Sequence, residues 1–358
     1  MERVYNFGAG PAVLPEEVLA EAQRELLDFK GSGMSIMEHS HRGKEYDAVH
    51  TEAVDNLRKL LDVSTDYSIL FIQGGASMQF AMVPMNLLGA GASADYVNSG
   101  TWADKAVKEA NLFGKVNVIA NTGKEIPTRM PGNEELKFTP GAAYVHITSN
   151  ETIAGAQWKV FPRTVAPLVA DMSSDILSRP FEASQFGLIY AGAQKNLGPA
   201  GMAVVVIRKD LAERVSAAVP TMLKYKTHIE ENSLYNTPPT FAIYILMLVT
   251  RWIIKMGREN LYRQNVEKAA RIYRAIDASS FYKGTAVREF RSDMNLTFRL
   301  PSEALEEQFI KEASRQGMKG LKGHRMVGGI RASIYNAFPL AGVDALVAFM
   351  KDFESKNG

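Results

Sequence analysis

Residues 68–77, Ser68-Ile69-Leu70-Phe71-Ile72-Gln73-Gly74-Gly75-Ala76-Ser77, run from an apolar strand-like stretch through two glycines into a helix that opens with Ala76 and Ser77. A strand turning directly into a helix is the building unit of a sheet covered by helices. The same alternation extends over about 16–258. Helix-period segments at 16–29, 46–61, 77–88 and 102–111 are interleaved with short apolar runs at 68–72, 94–98, 116–120, 143–148, 167–170, 188–191 and 202–207. These seven runs predict a mainly parallel α/β sheet. After Gly257 the rhythm changes to a long helix (259–278), a strand (295–299), a helix (302–316), a strand (329–335) and a helix (343–353), which predicts a second, smaller α/β layer. The expected division is a large domain at 16–258 and a small one built from 1–15 and 259–358.

Composition narrows the function classes. The chain has 358 residues, 46% apolar and 22% charged, enough apolar surface for a sizeable core and too much for a disordered chain. Lys and Arg total 41 against 39 Asp and Glu, so no global field draws the protein to nucleic acid, and anion recognition must be local. With no cysteine there is no disulfide framework, thiolate zinc site, iron–sulfur cluster or cysteine nucleophile, and the cytoplasm is the default compartment. The N-terminus lacks the charged-then-apolar design of a signal peptide. The longest apolar run, Phe241 to Val249, is too short for a bilayer, so no membrane association is expected.

Dinucleotide, P-loop, zincin and nucleophile-elbow motifs are absent. In open α/β sheets ligands sit beyond the carboxyl ends of the strands, and three features fall there. The Gly74-Gly75-Ala76-Ser77 turn offers free N–H groups and a helix dipole to a phosphate or carboxylate, or is simply a strand-turn-helix with Ser as its N-cap. Asp171, in Leu168-Val169-Ala170-Asp171-Met172-Ser173-Ser174, is a strand-end carboxylate or an N-cap. Lys195, in Ala191-Gly192-Ala193-Gln194-Lys195-Asn196-Leu197-Gly198-Pro199, is a lysine among small residues, where a partly desolvated amine becomes a nucleophile. A phosphate cradle, a strand-end acid and a loop lysine are together what a pyridoxal phosphate site requires. Trp102, after Asn98-Ser99-Gly100-Thr101, is a candidate to cover the cofactor ring. His41-Arg42, His324-Arg325 and Arg331 stand near glycines; their guanidinium forks suit a substrate with two or three anionic groups.

Several separated blocks complete the pattern: Asn6-Phe7-Gly8-Ala9-Gly10-Pro11-Ala12, Met37-Glu38-His39-Ser40-His41-Arg42, Gly74-Gly75-Ala76-Ser77, Gly192-Ala193-Gln194-Lys195-Asn196, Tyr235-Asn236-Thr237-Pro238-Pro239-Thr240 and Gly323-His324-Arg325 through Arg331-Ala332-Ser333-Ile334-Tyr335-Asn336-Ala337. With them the chain resembles, end to end, the phosphoserine aminotransferase family, fold-type I pyridoxal-phosphate enzymes of serine biosynthesis. The resemblance implies that Lys195 carries the cofactor, Asp171 pairs with its ring nitrogen, Trp102 stacks on the ring and Thr152 bonds its phenolic oxygen. It implies that Ala76, Ser77 and Gln194 hold the cofactor phosphate, with Asn236 and Thr237 arriving from the partner subunit of a homodimer. His41, Arg42, His324 and Arg325 are implied for the substrate's distal carboxylate or phosphate, and Arg331 for the α-carboxylate. The implied substrates are L-glutamate, 3-phosphohydroxypyruvate and O-phospho-L-serine, with 4-phosphohydroxy-L-threonine of vitamin B6 synthesis left open. No metal is implied. Ser77 is a departure, since some relatives carry Arg there. Another fold-type I reaction, such as alanine:glyoxylate transamination, is the alternative; desulfuration is excluded by the missing cysteine. A catalytically silent binding module is the rival outside enzymes, and the joint presence of Lys195, Asp171 and Arg331 speaks against it.

Overall fold

The computed structural model describes residues 3–214, 218–325 and 327–358. Seven strands form the central sheet: β1 (Tyr67–Gln73), β2 (Ser93–Asn98), β3 (Lys115–Asn121), β4 (Val145–Thr148), β5 (Leu168–Asp171), β6 (Phe186–Gly192) and β7 (Met202–Arg208). Their spatial order is β1-β7-β6-β5-β4-β2-β3. β4, β5 and β6 are buried along their whole length and read as unbroken apolar runs, as expected of strands covered on both faces. All neighbours from β6 to β3 are parallel, whereas β7 runs antiparallel to both β1 and β6. The reversal arises because a short loop, not a crossover helix, joins β6 to β7.

Helices α1 (Glu16–Arg24), α2 (Lys44–Leu61), α3 (Gly75–Leu87), α4 (Thr101–Ala110) and α5 (Thr240–Met256) cover this sheet. α3 and α4 pack on one face; α2 and α5 pack against each other on the opposite side. The apolar run 241–249 is therefore core of α5, and nine of that helix's residues are buried. At Gly257, whose φ of 78° suits glycine, the chain bends by 89° into α6 (Arg258–Asp277). Among the described residues no single helix is long and apolar enough to cross a membrane.

α6, α7 (Glu303–Arg315) and α8 (Leu340–Asn357) accompany an antiparallel three-stranded sheet of β8 (Lys283–Gly284), β9 (Asn295–Arg299) and β10 (Ile330–Ser333). Residues Tyr5–Asn6 pair in parallel with Met318–Lys319, and Phe7 enters this second core with its ring 4.4 Å from that of Phe338.

Three expectations need correction. The helix expected over 16–29 stops at Arg24: Leu26 and Leu27 are exposed, while left-handed Lys30 (φ 51°) and Gly31 (φ 78°) turn the chain so that Phe29 is buried edge-on to Tyr244. Burial of that ring outweighs continuation of the helix. Ser77 is not an N-cap; Gly74 is, and α3 begins at Gly75. Asp171 caps no helix either, for it ends β5 and the chain turns without forming one.

Candidate active site

The carboxyl ends of β1, β2, β4, β5 and β6 open on one cavity of about 500 Å³. Its walls include Ala76, Ser77, Trp102, Thr152, Asp171, Gln194, Lys195, His324 and Arg331, nine of the residues singled out above. At the end of β1, Gly74 (φ 94°) and Gly75 (φ 65°) adopt left-handed conformations that aim the first-turn amides of α3 at the cavity. A Cβ on Gly74 would lie 2.9 Å from that of Met78. The Gly74 amide donates to the Gly201 carbonyl at 3.0 Å, which ties this turn to the start of β7.

Lys195 Nζ donates to Thr152 Oγ1 at 2.8 Å and lies 5.7 Å from the centre of the Trp102 ring. Burial lowers its pKa to about 8; the Asp171 charge opposes that shift and the Arg331 charge adds to it. A substantial neutral fraction is thus present near physiological pH. Asp171 Oδ1 accepts from the Ser173 amide at 2.9 Å and from Ser173 Oγ at 2.5 Å. Burial pushes the Asp171 carboxyl up, while the Ser173 bonds and the Lys195 charge pull it back. Arg331 projects from β10, opposite Thr297 on β9. Burial lowers its pKa, and its Nε has no partner among the described residues.

Other buried polar atoms of the cavity likewise have no partner among the described residues: Thr148 Oγ1, Asn150 Oδ1, Gln194 Oε1 and Trp102 Nε1. Buried polar groups are normally bonded, so a cavity with several such atoms is built for a polar ligand. A phosphorylated heteroaromatic aldehyde fits this set: amides at a helix end for its phosphate, an acid for a ring nitrogen, an amine for its carbonyl carbon and an indole for its face.

Residues 4–346 match the family described as aminotransferase class-V. A phosphoserine aminotransferase of Desulfosudis oleivorans is 56% identical over 361 aligned positions, covering 100% of this chain and 99% of that protein. The chain belongs to the phosphoserine aminotransferase family, within class V. The solved phosphoserine aminotransferase of Bacillus circulans subsp. alkalophilus superposes with a TM-score of 0.96 at 53% identity over 100% of both chains. That of Trichomonas vaginalis, described as PLP bound, superposes with a TM-score of 0.94 at 41% identity, over 98% of this chain and 100% of that one. The expected fold and enzyme class, a pyridoxal-phosphate-dependent aminotransferase, are those of this family.

Five of the singled-out residues are not on the aminotransferase cavity of their own chain. Arg42, Arg325 and Thr237 are exposed and His41 is partly buried. Asn236 lines a neighbouring cavity with Gln73, Met78, Met222 and His228. Burial lowers the His324 imidazole pKa, and the charges of Arg331 and then Arg325 add to that shift, so Arg325 is near enough to act on it.

Sequence reasoning missed two residues on the cavity wall, Ser173 and Thr148, and one behind it, Glu151. Ser173, which holds Asp171, was inside a quoted stretch, two residues past the acid, a spacing typical of a side chain turning back on its own backbone. Thr148 ends β4 directly beside Asp171 in register. Glu151, wholly buried, follows β4 and accepts hydrogen bonds from Ser99 Oγ at 3.1 Å and from the Trp102 and Ala103 amides at 3.4 Å each. No periodicity or motif marks it.

Proposed function

We propose that the chain transfers an amino group reversibly between L-glutamate and 3-phosphohydroxypyruvate, giving 2-oxoglutarate and O-phospho-L-serine, with pyridoxal 5′-phosphate held in the cavity around Lys195. The observation that carries this reading is the Lys195 amine, depressed in pKa and bonded to Thr152, facing a cavity that also presents Asp171, the α3 amides and the unpartnered Arg331 Nε.

When bound, the cofactor supplies an electrophilic carbon and an electron-accepting ring. The α3 amides at Ala76 and Ser77, with Gln194, would hold its phosphate, Trp102 would cover its ring and Thr152 would donate to its phenolic oxygen. Asp171, as a carboxylate, would keep a proton on its ring nitrogen. Arg331 receives the substrate α-carboxylate through its planar fork. With the substrate so held, the neutral Lys195 Nζ would be the group that takes up the Cα proton and, once protonated, gives it back. A depressed pKa suits an amine that accepts and donates in turn.

Arg42, His41, Asn236 and Thr237 lie away from their own chain's cavity, which supports a homodimer in which each site receives these residues from the partner subunit. Exposed Met78 and Met222 line the same cavity as Asn236, which gives that part of the surface apolar character. His324 and Arg325 then complete the recognition of a phosphate or carboxylate. The reading includes a large domain at 16–258, a small one from 1–15 and 259–358, supported by their separate cores, and a cytoplasmic location.

The test is an assay of 2-oxoglutarate consumption with O-phospho-L-serine as donor, with the protein's visible spectrum recorded alongside. Turnover with phosphoserine is expected; turnover confined to alanine and glyoxylate would overturn the substrate assignment.

A further inference from the structure

Helix α4 carries Trp102 in its first turn, and its N-cap, Gly100, has no side chain to satisfy the free amides. Glu151 does so from another part of the chain. One oxygen accepts from Ser99 Oγ and the Ala103 amide, the other from the Trp102 amide. The acid is locked by the antiparallel pairing of Asn150–Glu151 with Ala156–Gln157, and by the Gly155 amide bonding the Glu151 carbonyl at 2.8 Å. Gly100 makes the approach possible: a Cβ there would lie 2.5 Å from the carboxyl carbon. The next residue, Thr152, receives the Lys195 hydrogen bond. We propose that Glu151 is a positioning residue whose carboxylate anchors the first turn of α4 so that Trp102 faces the cofactor ring.

The acid is a poor choice for stability alone. Burial, reinforced by the Asp171 charge, raises its pKa to about 7, against the lowering effect of its three hydrogen bonds. Its folded pKa lies above the unfolded one, so ionised Glu151 costs stability as pH rises from the ordinary carboxylate range through about 7. The charged groups acting on it are Asp171 on β5 and Lys195 after β6; Lys105 and His324 border Trp102. What the carboxylate provides is charge complementarity to a helix N-terminus and two acceptors where an amide has one. Glutamine would turn an N–H₂ group toward an amide donor.

The inference rests on the assignment of Trp102 to the cofactor face, and the experiment separates the two. Glu151→Gln, Trp102→Phe and the parent protein are compared by thermal unfolding at pH 8, by the near-ultraviolet dichroism of the apoenzyme between pH 5.5 and 9, and by equilibrium binding of pyridoxal phosphate. The parent apoprotein is expected to show a Trp102 dichroic change with a midpoint near pH 7, absent from both variants. Glu151→Gln should melt no lower than the parent, yet bind the cofactor roughly three- to tenfold more weakly. A Trp102 signal and cofactor affinity left intact in Glu151→Gln would overturn the proposal, as would a lowered melting temperature that accounts for the whole loss. If Trp102→Phe itself leaves cofactor binding unchanged, the assignment of Trp102 falls instead. Should Glu151→Gln not fold, Ser99→Ala serves: it should shift the Trp102 titration midpoint upward, and an unmoved midpoint overturns the role.

Discussion

The Asn336 amide donates to Asn196 Oδ1 at 3.0 Å, fastening the residue after Lys195 to the segment beyond the strand that carries Arg331. Asn336 also donates from Nδ2 to the Leu177 carbonyl at 3.1 Å and accepts from Asn265 Nδ2 at 2.8 Å. Buried Lys268 closes the same turn, donating to the carbonyls of Ile334, Tyr335, Asn336 and Phe338, with burial lowering its pKa to about 7. The spacing between the amine and the guanidinium is therefore held by bonds that have no water to fall back on. Asn196→Ala strands the Asn336 amide and the Ile176 carbonyl. It should cost about 1–3 kcal/mol in urea unfolding and raise the KM for glutamate and phosphoserine together. A variant of parental stability would show the network to be dispensable.

Lys195 should form the covalent link to the cofactor, so borohydride reduction of the yellow protein should label that lysine and no other. Because burial sets its pKa near 8, the rate of apoenzyme reconstitution should climb about tenfold per pH unit below 8 and level off above it. A rate still climbing at pH 10 would mean an ordinary surface amine.

For Asp171, the isosteric Asp171→Asn variant keeps the shape and loses the charge that sustains a protonated ring nitrogen. Single-turnover rates with glutamate should fall by about 10² or more while the melting temperature holds, since the exchange also removes a desolvated charge. Near-parental rates would remove Asp171 from the chemistry.

Recognition of the two ends of the substrate separates by half-reaction. Arg331→Lys keeps the charge but loses the bidentate fork on the α-carboxylate, so glutamate and phosphoserine half-reactions should slow alike. His324→Ala and Arg325→Ala should penalise phosphoserine more, each lost charge-assisted bond being worth about 1.5–3 kcal/mol. Equal losses for both substrates would move the phosphate site elsewhere.

Arg42 offers a test of the shared site. Lys195→Ala and Arg42→Ala protomers are each expected to be nearly inactive, yet a mixed dimer would hold one complete site. Co-refolding equal amounts should restore about a quarter of parental activity, from random assortment into a symmetric dimer. No recovery would place Arg42 in its own chain's site, or the active unit in a monomer.

The α/β alternation was legible because strands buried on both faces read as continuous apolar runs, as Leu168–Asp171 and Phe186–Gly192 do. Lys195 stood out because a charge among Gly, Ala and Pro has no solvated helix face to occupy. Strand direction was not legible: Met202–Arg208 has the same apolar pattern as the parallel strands of the sheet, and only the short loop before it marks the reversal. Two-residue pairings such as Tyr5–Asn6 with Met318–Lys319 are too short for any period to show. Glu151 was invisible for a different reason. Its partners are two backbone amides of a distant helix and the Ser99 hydroxyl, which leave little trace in side-chain identity beyond Ser99-Gly100.

The reversed strand β7 also sets an order of events during synthesis. β1 is an edge strand whose sole neighbour in the sheet is β7, with Gln73 paired to Met202. On the ribosome, the apolar segment Leu70-Phe71-Ile72 emerges long before the residues that will cover its edge, and Lys195 is already outside when the Gly201–Gly74 clasp finally forms. The nascent chain thus carries a sticky, half-paired border through much of its translation, the condition under which strands find wrong partners. The Gly74–Ser77 turn is thus clasped only after β7 is complete, and the cavity is finished later still, when His324 and Arg331 emerge.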